Sequence, residues 1–325
     1  MSNRIKLLRL MSDGKFHSGE DLGRMLSISR TAVWKMIRSF RQYGLDVYSI
    51  KGKGHRLSQA IEFLDNDCLL TCINPEVSGL VRSMTVHTEI DSTNQYLLAK
   101  SDSPDFHGHI TLAEFQSSGR GRRGNTWVSP FGAGICLSIG WNFDPSPDPL
   151  TVISLAAGVA VIRTLKVFEI NDAGLKWPND IFWEGHKLGG TLLEIRGESA
   201  GPCNVVLGVG INFSFPRTGM ELIDQSWIDI AGIKQPLPSR NAFTATLISE
   251  IVRILASFNE ITIPGIIEEW RQYDCMKGRQ VTLLLPGQSV RGEILGIENN
   301  GSLLMLINDK VRQFNTGEIS LRVQH

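Results

Sequence analysis

The spacing of apolar residues changes twice along this chain, and each change predicts a different kind of core. Residues 1–60 place apolar side chains at helical spacing between capping serines, and two short alternating segments follow. Residues 61–270 mix predicted strands with two long apolar helices, near 150–168 and 241–258. Residues 271–325 are short alternating strands with an Asn-Gly hairpin turn. Because 325 residues suffice for two or three domains, we predict three domains with these boundaries.

Positive charge is concentrated at the start of the chain. Residues 1–60 contain twelve Lys and Arg against four Asp and Glu, whereas the rest contains 21 against 29, and the whole chain is neutral. A basic module joined to an acidic body indicates that only the first part meets a polyanion.

Membrane insertion and metal chelation by cysteine are both disfavoured by the sequence. No apolar run approaches the ~18 residues of a membrane span, and the first residues lack the apolar core of a signal peptide. We therefore expect a cytoplasmic protein without a membrane partner. The five cysteines form no C-x-x-C pair and have no histidine nearby at ligand spacing. Buried thiols are expected, rather than a zinc site.

The first sixty residues predict a winged helix-turn-helix. Ser18 begins a capping box, Ser29 is a second N-cap, and a third helix should end near Gly44. The segments LDVYSI and HRL, joined by KGKG, form the predicted wing. The residues expected to meet DNA are Ser29, Arg30, Thr31, Lys35, Arg38, Lys51 and Lys53. The alternative is a solvated basic face on a small helical adaptor.

The segment GRGRRG, residues 119–124, has the spacing of a dinucleotide-binding turn. The strand HITLAEF precedes it, but Pro130, Gly132 and Gly134 interrupt the helix that such a turn must open, and Asp144 lies in a proline-rich loop. Arginine offers a planar fork for phosphate or carboxylate, and glycine lets backbone amides approach an anion. The loop therefore predicts a site that brings a carboxylate to a nucleotide triphosphate.

Three further motifs agree with that chemistry. DSTN, residues 91–94, offers hydroxyl and amide groups that suit a polar urea-like ligand group. GLKWPND, residues 174–180, places Lys176 before a chain reversal. A hairpin and a glycine-containing strand bring together Lys187, Gly189, Gly190, Gly208, Gly210 and Asn212. Each fragment alone has an ordinary explanation as a helix cap, a turn or a packed strand, whereas their joint occurrence favours a binding site.

Together these motifs closely resemble those of the biotin protein ligases, in particular the bifunctional kind that also represses the biotin operon. The resemblance rests on SRTAVWKMI, GKGHRL, STNQYLL, GRGRRG with WVSPFG, KWPND, KLGG, GVGIN and GEISLR. It implies an α+β multidomain fold with an N-terminal winged helix-turn-helix, a central mixed α/β catalytic domain like that of class II synthetases, and a C-terminal SH3-like small β-barrel. It also implies an activity in which biotin and ATP, with Mg²⁺, form biotinyl-5′-adenylate, and biotin then passes to a lysine of biotin carboxyl carrier protein.

The resemblance also implies roles for individual residues. Those expected to contact biotin are Ser92, Thr93, Asn94, Gln116, Arg120, Gly121, Arg122 and Lys176. Those expected to contact the nucleotide are Arg122, Arg123, Trp127, Lys176, Asn179 and Asn212. Lys176, Arg120 and Arg122 are the expected catalytic residues. Asp180 is a candidate for holding Mg²⁺ through phosphates and water, or else a turn-forming residue.

The same resemblance predicts partners and leaves rival functions open. The adenylate is expected to favour homodimerisation and the binding of operator DNA. Asn125 and Thr126 depart from the basic residues common in close relatives, and His55 replaces a common wing tyrosine. The alternatives are a lipoate-type ligase, a biotin-sensing repressor without catalysis, and a ligase that has lost DNA binding. The STN, GRGRRG and KWPND motifs favour biotin, while the intact Lys176 and the basic first domain oppose the other two.

Overall fold

Three kinds of packing unit follow one another along the chain, as the change in apolar spacing predicts. The structure is a computed structural model that describes residues 2–197, 201–216, 223, 225–285, 288–315 and 320–323. In this part of the chain no helix is long and apolar enough to cross a membrane.

The N-terminal unit is a winged helix-turn-helix. Its elements are α1 (Asn3–Met11), α2 (Gly19–Leu26), α3 (Arg30–Ser39), β1 (Val47–Ile50) and β2 (Gly54–Leu57). The predicted caps are confirmed, since Ser18 accepts a hydrogen bond from the backbone N–H of Asp21, and Ser29 accepts one from that of Ala32. The third helix is shorter than predicted, because a 3₁₀ turn begins at Phe40 and carries the chain to Gly44.

The central unit is a seven-stranded sheet with helices packed against it. Its elements are α4 (Asn66–Cys72), α5 (Pro75–Ser78), β3 (Ser83–His87), α6 (Thr93–Leu98), β4 (His109–Ala113), β5 (Gly134–Phe143), α7 (Val152–Val167), β6 (Ala173–Lys176), β7 (Asp180–Trp183), β8 (His186–Gly197), β9 (Cys203–Asn212), α8 (Ile230–Ile233), α9 (Arg240–Ser257) and α10 (Ile263–Gln272). The strand order is β3-β4-β5-β9-β8-β7-β6, and only β3 and β4 pair in parallel. Helix α7 is apolar on almost every face, so it is buried beneath the sheet and against α9.

The C-terminal unit is a five-stranded antiparallel sheet of the SH3-like kind. Its strands are β10 (Gln280–Leu285), β11 (Gln288–Ile297), β12 (Leu303–Ile307), β13 (Lys310–Phe314) and β14 (Ser320–Val323). Residues 317–319 of the GEISLR motif lie outside the described residues. The unit docks beside the KWPND motif, because the indole N–H of Trp177 donates to the carbonyl oxygen of Gly301 at 3.0 Å.

The winged helix shares its core with the central unit. Its buried cluster includes Ile61 and Phe131, and Phe131 lies shortly after the GRGRRG segment in the chain. The rings of Tyr43 and Phe131 meet edge to face at 5.6 Å, and the Tyr43 hydroxyl donates to the carboxylate of Glu89 at 2.8 Å. The N-terminal unit is therefore packed against the segments that lead into both halves of the candidate site.

A buried ion pair fixes the junction between these two units. The Arg240 guanidinium donates to Glu114 at 2.6 Å and to the carbonyl oxygens of Glu62 and Gly134 at 3.0 and 2.7 Å. The second oxygen of Glu114 accepts the backbone N–H of Leu64 at 2.6 Å. Arg240 and Glu114 are 1% and 2% exposed, so the pair is almost fully desolvated and depends on these additional hydrogen bonds.

One sequence expectation is wrong, because two of the five cysteines are not buried. Cys136 and Cys203 are buried and Cys275 is half-buried, but Cys68 and Cys72 are exposed. Residues four apart share one face of a helix. Leu69 is buried in the core of the central unit, whereas Cys68 and Cys72 are exposed to solvent on α4.

Replacing Arg240 should destabilise the fold strongly. Arg240→Met leaves the Glu114 carboxylate buried without its partner, and we expect a loss of about 3–5 kcal/mol in the free energy of unfolding. Urea unfolding followed by circular dichroism measures it. The matched control is Arg24→Met, which removes an arginine whose pair with Asp21 is exposed on both sides and which should cost less than about 1 kcal/mol. Equal losses of stability in the two variants would contradict the assignment of Arg240 and Glu114 as a buried ion pair.

Candidate ligand-binding and DNA-binding sites

The DSTN motif and Gln116 come together at one edge of the central sheet. Strands β3 and β4 run parallel, so the loops that leave their carboxyl ends emerge side by side. Ile90 forms a parallel bridge with Gln116, and the backbone N–H of Ser118 donates to the carbonyl oxygen of Asp91 at 2.9 Å. This pairing places the start of α6 against the start of the arginine-rich segment.

A buried polar network lines this edge. The Gln116 side-chain oxygen accepts hydrogen bonds from the backbone N–H and the hydroxyl of Thr93, at 2.8 and 3.1 Å. The Ser138 hydroxyl lies 2.7 Å from the Thr93 hydroxyl and 2.6 Å from the side-chain oxygen of Asn94. Ser92 caps α6 by accepting from the backbone N–H of Gln95. These hydroxyl and amide groups are buried and fixed, as recognition of a polar ligand group requires.

The GRGRRG segment forms a β-hairpin. Arg120 bridges Thr126 in antiparallel fashion, and the backbone N–H of Gly121 donates to the carbonyl oxygen of Asn125 at 2.7 Å. A 3₁₀ turn at Arg122–Gly124 forms the tip, with Arg123 at φ 59°. The prediction that no helix follows these glycines is confirmed, and a dinucleotide-binding turn is excluded because it requires one.

The three arginines of the hairpin have different surroundings. Arg120 contacts the side-chain oxygen of Gln95 at 2.7 Å and the carboxylate of Glu194 at 3.0 Å. Arg122 is half-buried and lies 3.3 Å from the side-chain oxygen of Asn179. Burial lowers the pKa of the Arg122 guanidinium, and the Asp180 carboxylate opposes that shift. Arg123 is exposed at the tip.

Lys176 is a partly desolvated cation at the end of β6. Its ammonium lies 4.9 Å from the centre of the Phe182 ring. Burial lowers the pKa of this ammonium; the Asp180 carboxylate favours the charged form, and the Lys187 ammonium disfavours it. Asp180 itself forms a 2.7 Å ion pair with Lys187. Among the described residues, the Asp180 carboxylate thus lies near the cations Lys176, Lys187 and Arg122, and these cations can attract an anionic ligand.

The polar network and this cationic cluster are neighbours along β8. The Asn94 amide donates to the carbonyl oxygen of Leu192 at 3.4 Å, and the Asn179 amide donates to that of Thr191 at 2.7 Å. Leu192 and Thr191 are consecutive residues. A ligand with a polar head at one end and a carboxylate at the other can therefore reach both groups.

Trp127 lies over the glycine strand β9. A Cβ atom at Gly210 would lie 2.4 Å from the Trp127 ring, so only glycine admits the indole here. The indole also contacts the thiol of Cys136 below it, and the Lys187 ammonium lies 5.8 Å from its ring centre. This arrangement places an aromatic surface beside the cationic cluster.

Asn212 and Asp180 are occupied by protein groups. Both amide hydrogens of Asn212 are used by the carbonyl oxygens of Lys187 and Ile228, at 3.2 and 3.0 Å. In the described parts of the chain, no group of three or more His, Cys, Asp or Glu side chains could hold a metal ion. A cation bound near Asp180 would therefore depend on ligand phosphates and water.

The predicted DNA contacts lie on one exposed surface of the N-terminal unit. Exposed residues at the start of α3, on its outer face and at the wing tip are Ser29, Arg30, Thr31, Lys35, Arg38, Lys51 and Lys53. A groove of ≈ 600 Å³ between α3 and the wing is lined in part by Arg30, Thr31, Trp34 and Lys51. This geometry suits entry of α3 into a DNA major groove, with the wing beside the backbone.

Comparisons with known proteins show what each unit of the chain is similar to. Residues 86–212 match the biotin/lipoate A/B protein ligase family, residues 3–56 an HTH domain, and residues 278–322 the biotin protein ligase C-terminal domain. The chain is 36% identical over 320 residues to the bifunctional ligase/repressor BirA of Salmonella typhimurium, covering 98% of this chain and 97% of that protein. It is 35% identical to the Escherichia coli protein of the same name, with the same coverage. The chain belongs to the biotin protein ligase family.

A solved structure shows the same fold. The biotin protein ligase from Aquifex aeolicus, in complex with biotin and ATP, aligns with a TM-score of 0.64 and 24% identity. The alignment covers 75% of this ligase and 100% of that chain.

Two residues of the candidate site, Ser138 and Glu194, are not among those predicted from the sequence. Ser138 is a polar residue within an otherwise apolar buried strand, and that contrast could have marked it. Glu194 carried no such signal, because its part of β8 is half-buried and polar residues are ordinary there. Both contact Asn94.

Gly208→Ala should weaken the binding of biotin by this ligase. The new Cβ would lie 2.2 Å from the side-chain oxygen of Asn94, so the amide must move and lose its buried partners. A lost buried hydrogen bond costs about 1–3 kcal/mol, and we expect the dissociation constant for biotin, measured by calorimetry, to rise about tenfold or more. The control is Gly265→Ala, where the added carbon meets nothing within 4 Å. An unchanged affinity in Gly208→Ala would contradict the placement of Asn94.

Proposed function

We propose that this protein activates biotin with ATP, transfers it to a carrier-protein lysine, and represses transcription when the adenylate is bound. The observation that supports the ligase activity best is the cationic cluster of Lys176, Arg122 and Lys187 beside the buried network around Asn94. The network suits the neutral, polar ring of biotin, and the cluster suits its carboxylate together with the phosphates of ATP.

The polar network is assigned to the biotin head. Ser92, Thr93, Asn94 and Gln116 offer hydroxyl and amide groups that match the donors and acceptors of a urea ring. An apolar carrier acid such as lipoate lacks these groups, and the buried polar atoms would then lose their ligand partners. The network therefore favours biotin over lipoate.

The cationic cluster is assigned to adenylation. A biotin carboxylate oxygen attacks the α-phosphorus of ATP, the new P–O bond forms, and the bond to the bridging oxygen breaks to release pyrophosphate. Lys176 and Arg122 hold the two anions together and offset the charge that builds up in the in-line displacement. No general base is needed, because the carboxylate is already ionised at pH 7.

Nucleotide contacts are assigned to the residues around this cluster. Arg123 at the hairpin tip, Asn179 and Asn212 border it, and Trp127 offers an aromatic surface to the base. Mg²⁺, when bound, screens the phosphates; it keeps several waters and needs few protein ligands, so Asp180 is the residue that would hold it. Arg120 and Gly121 border the biotin side of the hairpin.

The second half-reaction transfers biotin to the carrier protein. The neutral amine of a lysine of biotin carboxyl carrier protein attacks the acyl carbon of the adenylate. An amide bond forms, the acyl C–O bond breaks, AMP leaves with the electron pair, and the amine proton passes to water. The hairpin must expose the acyl carbon at this stage, because its residues Arg120 and Arg122 contact both halves of the site.

Repression is assigned to the N-terminal unit. Its exposed basic residues are placed to contact operator bases and phosphates. Because Phe131 belongs to the winged-helix core and follows the hairpin in the chain, adenylate binding has a short physical route to that unit. Homodimerisation promoted by the adenylate would pair two recognition helices on a two-fold operator.

Removing Lys176 should slow adenylation strongly. We expect biotin-dependent exchange of labelled pyrophosphate into ATP, and Lys176→Ala should lower its rate by about 10²–10³ because one preorganised cation is lost. Lipoate in place of biotin should give no exchange. Lys310→Ala, on an exposed strand of the C-terminal unit, is the matched control.

Two outcomes of the same assay would count against the proposal. Tight biotin binding without any exchange by the unmodified protein would leave a biotin-sensing repressor without catalysis. Exchange with lipoate as fast as with biotin would overturn the assignment of the polar network.

DNA binding should depend on the wing lysines through counterion release. The operator is chosen by selecting random duplexes with the full chain in the presence of biotin and ATP. We expect log K to fall linearly with log salt, and Lys51→Ala or Lys53→Ala should each make the slope shallower by about 0.9. Lys310→Ala should leave the slope unchanged. A slope unaffected by both wing substitutions would argue against phosphate contact by the wing.

A further inference from the structure

Glu194 lies where the biotin network and the arginine hairpin meet. It projects from β8, and its side chain is 19% exposed. Its two carboxylate oxygens have separate partners: one accepts the Asn94 amide at 2.9 Å, and the other pairs with the Arg120 guanidinium at 3.0 Å. Neither the reaction nor the binding of ATP requires this carboxylate directly.

The first contact orients the Asn94 amide. Glu194 and the carbonyl oxygen of Leu192 only accept hydrogen bonds, so both must face the amide nitrogen of Asn94. The amide oxygen then points to the Ser138 hydroxyl. With both amide hydrogens used, the oxygen of Asn94 has a lone pair left, so Asn94 can meet a ligand only as an acceptor.

The second contact anchors the hairpin. Arg120 lies on the first strand of the hairpin, and its guanidinium spans from Glu194 on β8 to Gln95 on α6. Charge-assisted hydrogen bonds are stronger than neutral ones. An arginine committed to these partners ties down the hairpin instead of offering a free cation to the phosphates.

We propose that Glu194 is a positioning residue that couples the orientation of Asn94 to the closure of the arginine hairpin. The identity of the ligand rests on the proposed function. The anchoring of the hairpin by Glu194 is independent of that function. The Glu194 carboxylate binds both the Asn94 amide and the Arg120 guanidinium. When Arg120 is released, the hairpin loses this anchor but Asn94 keeps its hydrogen bond to Glu194. Loss of the carboxylate disturbs both at once.

Glu194→Gln is the sharpest substitution. A glutamine has the same shape but a single acceptor oxygen, so its NH₂ group must face either the Asn94 amide or the Arg120 guanidinium, both of which are donors. We expect trypsin to cut the ligand-free full chain after Arg122 and Arg123 about threefold to tenfold faster, since the hairpin opens more often. Mass spectrometry assigns each cut.

The kinetic arm uses a double-mutant cycle with Arg120→Gln. Glu194→Gln should raise the KM for biotin in pyrophosphate exchange about tenfold, with a much smaller change in kcat. If the two residues are coupled, the double variant should be no worse than Glu194→Gln alone. Glu76→Gln, which disturbs the distant pair with Arg253, should change neither the trypsin rate nor the KM.

The possible results separate this inference from the proposed function. Unchanged cleavage in Glu194→Gln, or additive effects in the cycle, would overturn the coupling. Absence of exchange in the unmodified protein would instead defeat the proposed function, and the trypsin assay on the ligand-free chain would still decide whether Glu194 anchors the hairpin. Melting temperatures close to that of the unmodified protein confirm that the variants fold.

Discussion

The desolvated pair of Arg240 and Glu114 is the interaction on which the relative placement of the units depends. Arg240 begins α9, Glu114 follows β4, and the hydrogen bonds around them reach the start of β5 at Gly134 and the linker at Glu62. A buried pair of this kind is favourable only when all its groups are satisfied. It therefore fixes the linker between the winged helix and the central sheet in one position.

The candidate site is formed by two groups of side chains that this arrangement of the units places side by side. The loops that follow the parallel strands β3 and β4 supply the buried polar network. Lys176, Lys187 and Arg122 form the half-buried group of cations. Neither group is unusual by itself. Their placement along β8, with Asn94 and Asn179 bonded to consecutive residues, makes a site for a ligand that is neutral at one end and anionic at the other.

The sequence predicted the elements well, because they depend on local chemistry. The caps at Ser18 and Ser29 lie where side-chain oxygens can accept hydrogen bonds from free backbone amides. The prediction that no helix follows the glycines of GRGRRG is confirmed. The expectation of buried thiols was wrong for Cys68 and Cys72. Which face of α4 is buried depends mainly on α9, which packs against it, and the spacing of the cysteines does not reveal that contact.

The sequence by itself determined the three units, the basic character of the first, and the residue types gathered in the motifs. Those properties follow from spacing, composition and turn chemistry along a few neighbouring residues. Only the tertiary structure decided that Arg120 faces Glu194 while Arg122 faces Asn179, although the two arginines are separated by a single glycine. The physical reason is that a charge takes its role from the partners and solvent around it, and those partners come from strands distant in sequence.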